Sequence, residues 1–191
     1  KQWIEDRLQT LSGCFAVSVV GFAVMDNHLH VLVRLETDAA NSWSAVDVVR
    51  RWNTAYPAKL ADGEDIDLSQ AWLDQQAKDE SRVALLRARL ADLGWFMKAL
   101  KEPLARLANK EDDCKGTFWE SRYKSIAILD EEALLATCAY IDVNPVAAGM
   151  AAAPETSAHT SVKQRVEHAQ GQGAVEALKA AACGSVAGSR A

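Results

Sequence analysis

His28 and His30 stand two residues apart in MDNHLHVLVRL, at the start of an apolar run that follows Asp26-Asn27. Alternate residues of a strand face the same side, so the two imidazoles project together while Leu29 and Val31 project from the opposite face. Imidazoles side by side on a rigid strand can hold a divalent cation. The same pair also suits a half-solvated sheet face that binds nothing. Far downstream, in DEEALLATCAYIDVNP, Tyr140 and Asn144 are four residues apart and so share one face of a helix. A phenol, with a pKa of about 10, is a poor nucleophile at neutral pH, and a phosphodiester repels an incoming anion. A metal held by two imidazoles and an amide oxygen polarises a non-bridging phosphate oxygen, which addresses the second problem. Asn144 can be that third ligand, with Tyr140 one turn away as the attacking group. On spacing alone the plainer readings prevail, Tyr140 as a buried tyrosine with a satisfied hydroxyl and Asn144 as a helix C-terminal residue that tolerates the left-handed conformation.

The elements that must position these groups follow from pattern. Val17 to Met25 is rich in β-branched and aromatic residues, Asp26-Asn27 supplies turn chemistry, and His28 to Leu35 resumes the apolar run, so the stretch predicts a hairpin. Before it, Trp3, Ile4, Leu8 and Leu11 have helical spacing, with Ser12-Gly13 as the expected break. After it, Ser44 caps a helix to Ala55 that Pro57 ends, with Val46, Val49 and Trp52 as its apolar stripe. A long apolar period runs from Ser81 to Lys110 with Gly94 or Pro103 as the expected break or kink, and Thr117 to Leu129 alternates as a strand or hairpin pairing with the first sheet. Asp130 caps the helix that carries Tyr140, and Pro145 is expected to end or kink it. A short helix is expected over 160–167.

The chain of 191 residues, 49% hydrophobic and 25% charged, predicts one globular domain over 1–167 with a helical and acidic insertion over about 40–110, followed by a disordered tail at 168–191. No apolar run is long enough for a bilayer and the first residues lack the charged, apolar and small-residue regions of a secretion signal, so the expectation is a cytoplasmic protein without a membrane. Cys14, Cys114, Cys138 and Cys183 are scattered without a CxxC pair, which argues against a zinc knuckle or a disulfide framework. The net charge of −5 opposes a nucleic-acid partner when taken globally. Positions 61–80 alone carry −6, however, which leaves the rest at +1. That acidic segment reads as solubilising. Arg34, Arg50 and Arg51 after the hairpin, and Arg122 and Lys124 before the tyrosine helix, can neutralise phosphates, and Tyr123 can stack on a base. Solvated helix faces explain the same charges individually. Tyr123 is a rival nucleophile, but no ligand-type residue lies one turn from it.

MDNHLHVLVRL together with WFMKAL and FWESRYKSIAILDEEALLATCAYIDVNPVAAGM resembles the single-tyrosine HUH transposases, the group that includes the REP-associated tyrosine transposases. The resemblance covers nearly all of 1–167. It implies an α+β, ferredoxin-like sandwich with a central antiparallel sheet, in which His28 and His30 are the HUH histidines, Tyr140 the nucleophile and Asn144 the remaining metal ligand. It implies cleavage and rejoining of single-stranded DNA through a 5′-phosphotyrosine with Mg²⁺ or Mn²⁺, recognition of DNA hairpins, and a nucleoid-associated location; a homodimer is one assembly compatible with it. Two departures stand out. The strand that usually precedes the first helix is missing here, which predicts unpaired sheet backbone and marginal stability. Ala147 occupies the place of a phosphate-binding arginine in NPVAAG. The alternatives are an inactive DNA-hairpin binding remnant of such a transposase, and a Mg²⁺-dependent phosphodiesterase that uses water.

Overall fold

The computed structural model describes residues 1–57 and 66–171. Asp62, Glu64 and Asp65 of the acidic segment, Cys183 and the expected tail from 172 onward lie outside the described residues. The class is α+β. Strands β1 (Val17–Val24) and β2 (Leu29–Leu35) pair as an antiparallel hairpin with helices packed on it. The described residues form two compact units, one drawn from Lys1–Val19 and Val33–Ala127, the other from Val20–Leu32 and 128–171. Among the described residues no helix is long and apolar enough to cross a membrane.

In the first unit, helix α1 (Gln2–Cys14) buries Leu8, Leu11 and Cys14 at a spacing of three. The expected break at Ser12-Gly13 does not occur. Glycine costs a helix only about 1 kcal/mol relative to alanine, and burial of Leu11 and Cys14 on either side offsets that. Helix α2 (Ala45–Ala55) starts where Ser44 Oγ accepts from the Asp47 amide at 3.1 Å. Its buried apolar residues are Val48, Val49 and Ala55, with Trp52 stacked on Tyr56 at 4.5 Å. Helices α3 (Gln70–Gln76) and α4 (Glu80–Leu90) follow, and α1 packs on α2 while α2 packs on α3 and α4.

Helix α5 (Leu93–Glu111) corrects the expected break at Gly94 or Pro103: the interruption falls before it, where the Asp92 carboxylate accepts from the Trp95 amide at 2.9 Å. Capping decides the boundary there, since an aspartate satisfies one of the orphan amides of a new helix. Pro103 sits inside α5. A proline cannot donate to the carbonyl four residues earlier, here that of Ala99. The Arg7 guanidinium from α1 fills that vacancy, donating from Nε and Nη2 to the Ala99 oxygen at 3.1 Å each.

The expected strand over 117–129 is absent. Residues of this segment form bends and irregular chain, held by Trp119 Nε1 donating to the Lys101 carbonyl at 3.0 Å. Alternation alone does not make a strand; a ladder partner and a buried face are also needed. Ile126 and Leu129 are 90% and 89% exposed, so no buried face exists.

In the second unit, helix α6 (Glu131–Ala147) begins at Asp130, whose carboxylate accepts from the Ala133 amide at 2.7 Å. Pro145 lies inside the helix and does not end it. The helix continues to Ala147, and the terminating signal is Gly149 at φ +71°. There the Met150 amide donates to Pro145 O at 2.8 Å and the Gly149 amide to Val146 O at 3.0 Å, a Schellman closure that needs the left-handed residue. Ile141 of α6 is buried with Ala23, Met25 and Leu32 of the hairpin, and Ile128 and Cys138 pack on that cluster. Helix α7 (Ser161–Gly171) runs past the expected domain end at 167 and through His168.

Residues 159–161 lie along β1. Ala23 and Thr160 form an antiparallel bridge, the Val24 amide donates to His159 O at 3.1 Å, and Ser161 Oγ accepts from the Phe22 amide at 3.0 Å while donating to the Phe22 carbonyl at 3.2 Å. Over Phe22–Val24, therefore, backbone groups of β1 are paired with residues 159–161 of the same chain.

Candidate functional site

β1 and β2 are joined by Met25–His28, with Asp26-Asn27 at the tip, closed by the Met25 amide donating to the His28 carbonyl at 2.9 Å. This short connection fixes the register of the second strand and so the face on which His28 and His30 emerge. Their Nε2 atoms lie 3.1 Å apart, with rings 4.8 Å between centroids and planes at 88°. His28 Nδ1 is 2.7 Å from Asn27 Oδ1. Burial, followed by the neighbouring His28, pushes the His30 pKa below its ordinary value of 6.5. His30 is accordingly neutral at neutral pH and retains a ring lone pair for a cation or a hydrogen bond.

Helix α6 brings Tyr140 to this pair. Ile141 anchors the helix on the hairpin, and one residue earlier the Tyr140 ring stands edge-on to His30, centroids 5.4 Å apart and planes at 84°. Tyr140 is 56% exposed, which removes its reading as a buried core tyrosine. Asn144 is half-buried one turn later. It lies within the helix rather than at a left-handed end, which removes the competing explanation for it too. Among the described residues its side chain hydrogen-bonds neither imidazole. Asp142 of α6 pairs with Arg165 of α7 at 2.5 Å, holding the two helices together.

The donor set fits a small divalent cation. Two donors at right angles on one ion, each about 2.1 Å away, are separated by about 3.0 Å, close to the spacing of the two Nε2 atoms. Among the described residues no three His, Cys, Asp or Glu side chains gather, so further donors would come from an amide such as that of Asn144, from solvent or from a substrate.

The other residues singled out in the sequence belong to the first unit. Arg34 is engaged with the Glu36 carboxylate, at 3.1 Å from Nε and 2.6 Å from Nη2. Arg50 reaches Asp47 at 3.3 Å and Gln70 at 3.2 Å. Arg51 donates to the Gly13 carbonyl and lies 4.1 Å from the Trp43 ring centre, so it braces α1 against α2. Arg122, Tyr123 and Lys124 are exposed on the irregular segment rather than on a strand. Asn27 is the residue at the site that sequence reasoning took for a turn former alone; its signal is adjacency to His28. Set against known proteins, the chain matches no family model, no curated protein and no solved structure.

Proposed function

We propose that the chain is a metal-dependent transposase that cleaves and rejoins single-stranded DNA through Tyr140. The observation that supports this reading is the edge-on packing of the exposed Tyr140 ring against His30, whose Nε2 meets that of His28. A nucleophile and a convergent nitrogen pair are then beside each other on rigid elements, which is what oriented attack on a phosphodiester requires.

In the reaction, the Tyr140 oxygen bonds to phosphorus as the bond from phosphorus to the 3′ oxygen breaks. The phenolic proton ends on the departing 3′ oxygen, leaving a 5′-phosphotyrosine and a free 3′-hydroxyl. Attack by another 3′-hydroxyl reverses these bond changes and frees the tyrosine. His28 and His30, with Asn144 as a further donor, would hold a Mg²⁺ or Mn²⁺ ion, which would supply polarisation of a non-bridging phosphate oxygen. The helix geometry keeps Tyr140 beside the imidazoles, and the exposure of its ring leaves it open to a strand entering from solvent. The partners of this reading are single-stranded DNA and DNA hairpins, with Arg34, Arg50, Arg122 and Lys124 as candidate phosphate contacts and Tyr123 as a stacking platform. Its setting is the cytoplasm, at the nucleoid.

A second reading, an inactive DNA-hairpin binding remnant, is favoured by Ala147 at the place of an expected arginine. Incubation with labelled single-stranded oligonucleotides and Mn²⁺, followed by a denaturing gel, separates the possibilities. A covalent adduct supports the transposase. Retention on a native gel without cleavage supports the binding remnant, and free cleaved ends without adduct support a water-using phosphodiesterase.

A further inference from the structure

We propose that Asn27 is a positioning residue that holds His28 in the tautomer with hydrogen on Nδ1, so that its Nε2 lone pair faces His30. This rests on the metal-dependent reading above and extends it to a residue outside the ligand set. The amide oxygen of Asn27 can only accept, and it lies 2.7 Å from His28 Nδ1, so that nitrogen is the donor. A neutral imidazole carries one ring hydrogen, and with it on Nδ1 the Nε2 atom is left as an acceptor.

That nitrogen points at His30 Nε2, 3.1 Å away. In the metal-free protein His30 Nε2 must then be the donor of the pair, because two lone pairs at that distance repel. The roles of the two histidines are thus unequal. His28 is preset to bind a cation, while His30 has to move its ring hydrogen from Nε2 to Nδ1 before its Nε2 can do so. An exposed imidazole without Asn27 would favour hydrogen on Nε2, the tautomer that cannot bind through that atom. Hydrogen-bonding partners of ligating histidines act in this way elsewhere, and their loss weakens metal affinity by about 10- to 100-fold. Asn27 and His28 are exposed, so water competes for Nδ1 and the lower end applies.

The test uses Asn27→Ala and Asn27→Asp in the full chain. Ring-nitrogen correlation NMR of the metal-free protein at about pH 8, where free histidine is neutral, reads the tautomer of His28. Calorimetry reads the Mn²⁺ affinity. The expected result is hydrogen on Nδ1 of His28 in the parent chain and on Nε2 in Asn27→Ala, with Mn²⁺ affinity about tenfold weaker, and both properties restored in Asn27→Asp, which keeps the acceptor. Because Asn27 is an exposed loop residue, an unchanged melting temperature is expected in both variants. Hydrogen on Nε2 of His28 in the parent chain would overturn the proposal, as would parent-like Mn²⁺ affinity in Asn27→Ala or failure of Asn27→Asp to restore it. A parent chain that holds the expected tautomer through Asn27 yet binds no Mn²⁺ would uphold the tautomer assignment and reject the metal-dependent reading on which its purpose rests.

Discussion

Tyr140 stands edge-on to His30, with ring centroids 5.4 Å apart and planes at 84°. The contact joins residues 110 positions apart in the chain, one on a strand and one on a helix, and it is made possible by Ile141, buried against Ala23, Met25 and Leu32. The helix is therefore fixed on the hairpin by the residue adjacent to the proposed nucleophile. Packing and chemistry are neighbours in sequence, so the tyrosine has little freedom to leave the imidazoles without disturbing the core.

The first prediction concerns the unequal weight of the donors. His28→Ala and His30→Ala should each reduce Mn²⁺ affinity by at least about 10-fold and abolish metal-dependent cleavage, while Asn144→Ala should cost less because water can replace one amide oxygen. Calorimetric titration of the three variants checks the order. Unchanged affinity in a His28→Ala, His30→Ala double variant would place the metal elsewhere.

The histidine pair was legible in the sequence because the two-residue period of a strand puts His28 and His30 on one face whatever the rest of the fold does. The helix bearing Tyr140 was legible from its Asp130 cap. Its end was not, since Pro145 is the stronger local signal while Gly149 is the residue that closes the helix. Pro103 misleads for a different reason: the carbonyl it leaves free is satisfied by Arg7, from a distant helix. The segment 117–129 alternates like a strand but lacks a buried face, and its failure depends on tertiary structure that no local pattern reports. The role of 159–161 along β1 rests on serine, threonine and a backbone carbonyl, residues whose polarity reads as loop.

A second prediction follows from that edge. Ser161 is buried and both accepts from and donates to the Phe22 backbone. Ser161→Ala removes both partners at once, and unsatisfied buried groups cost about 1–3 kcal/mol. Urea unfolding should show a loss in that range. A change below about 0.5 kcal/mol would mean that Phe22 finds other partners.

A third prediction uses pH. Burial, followed by the charge of Glu102, raises the Tyr56 pKa from 10.0 to about 12, and its hydroxyl donates to the Trp95 carbonyl at 2.6 Å. Below pH 10 the residue is neutral in both folded and unfolded chains. Between 10 and about 12 the unfolded chain releases the proton while the folded chain keeps it, so stability falls as pH rises through this window. Tyr56→Phe should lose about 1 kcal/mol at neutral pH with the hydrogen bond, yet show a shallower decline above pH 10. Parallel stability curves for the two proteins across that window would refute the shift.

The central claim is that Tyr140 forms the covalent bond to DNA, and peptide mapping after reaction tests it most directly. The parent chain and Tyr140→Phe are incubated with single-stranded oligonucleotides and Mn²⁺, and the protein is digested and analysed by mass spectrometry. The account predicts a nucleotide attached through phosphate to the peptide containing Tyr140. In Tyr140→Phe the adduct should fall by about 10³-fold or more, with DNA binding retained because only the attacking oxygen is lost. An adduct on Tyr123, or one of undiminished yield in Tyr140→Phe, would contradict the account.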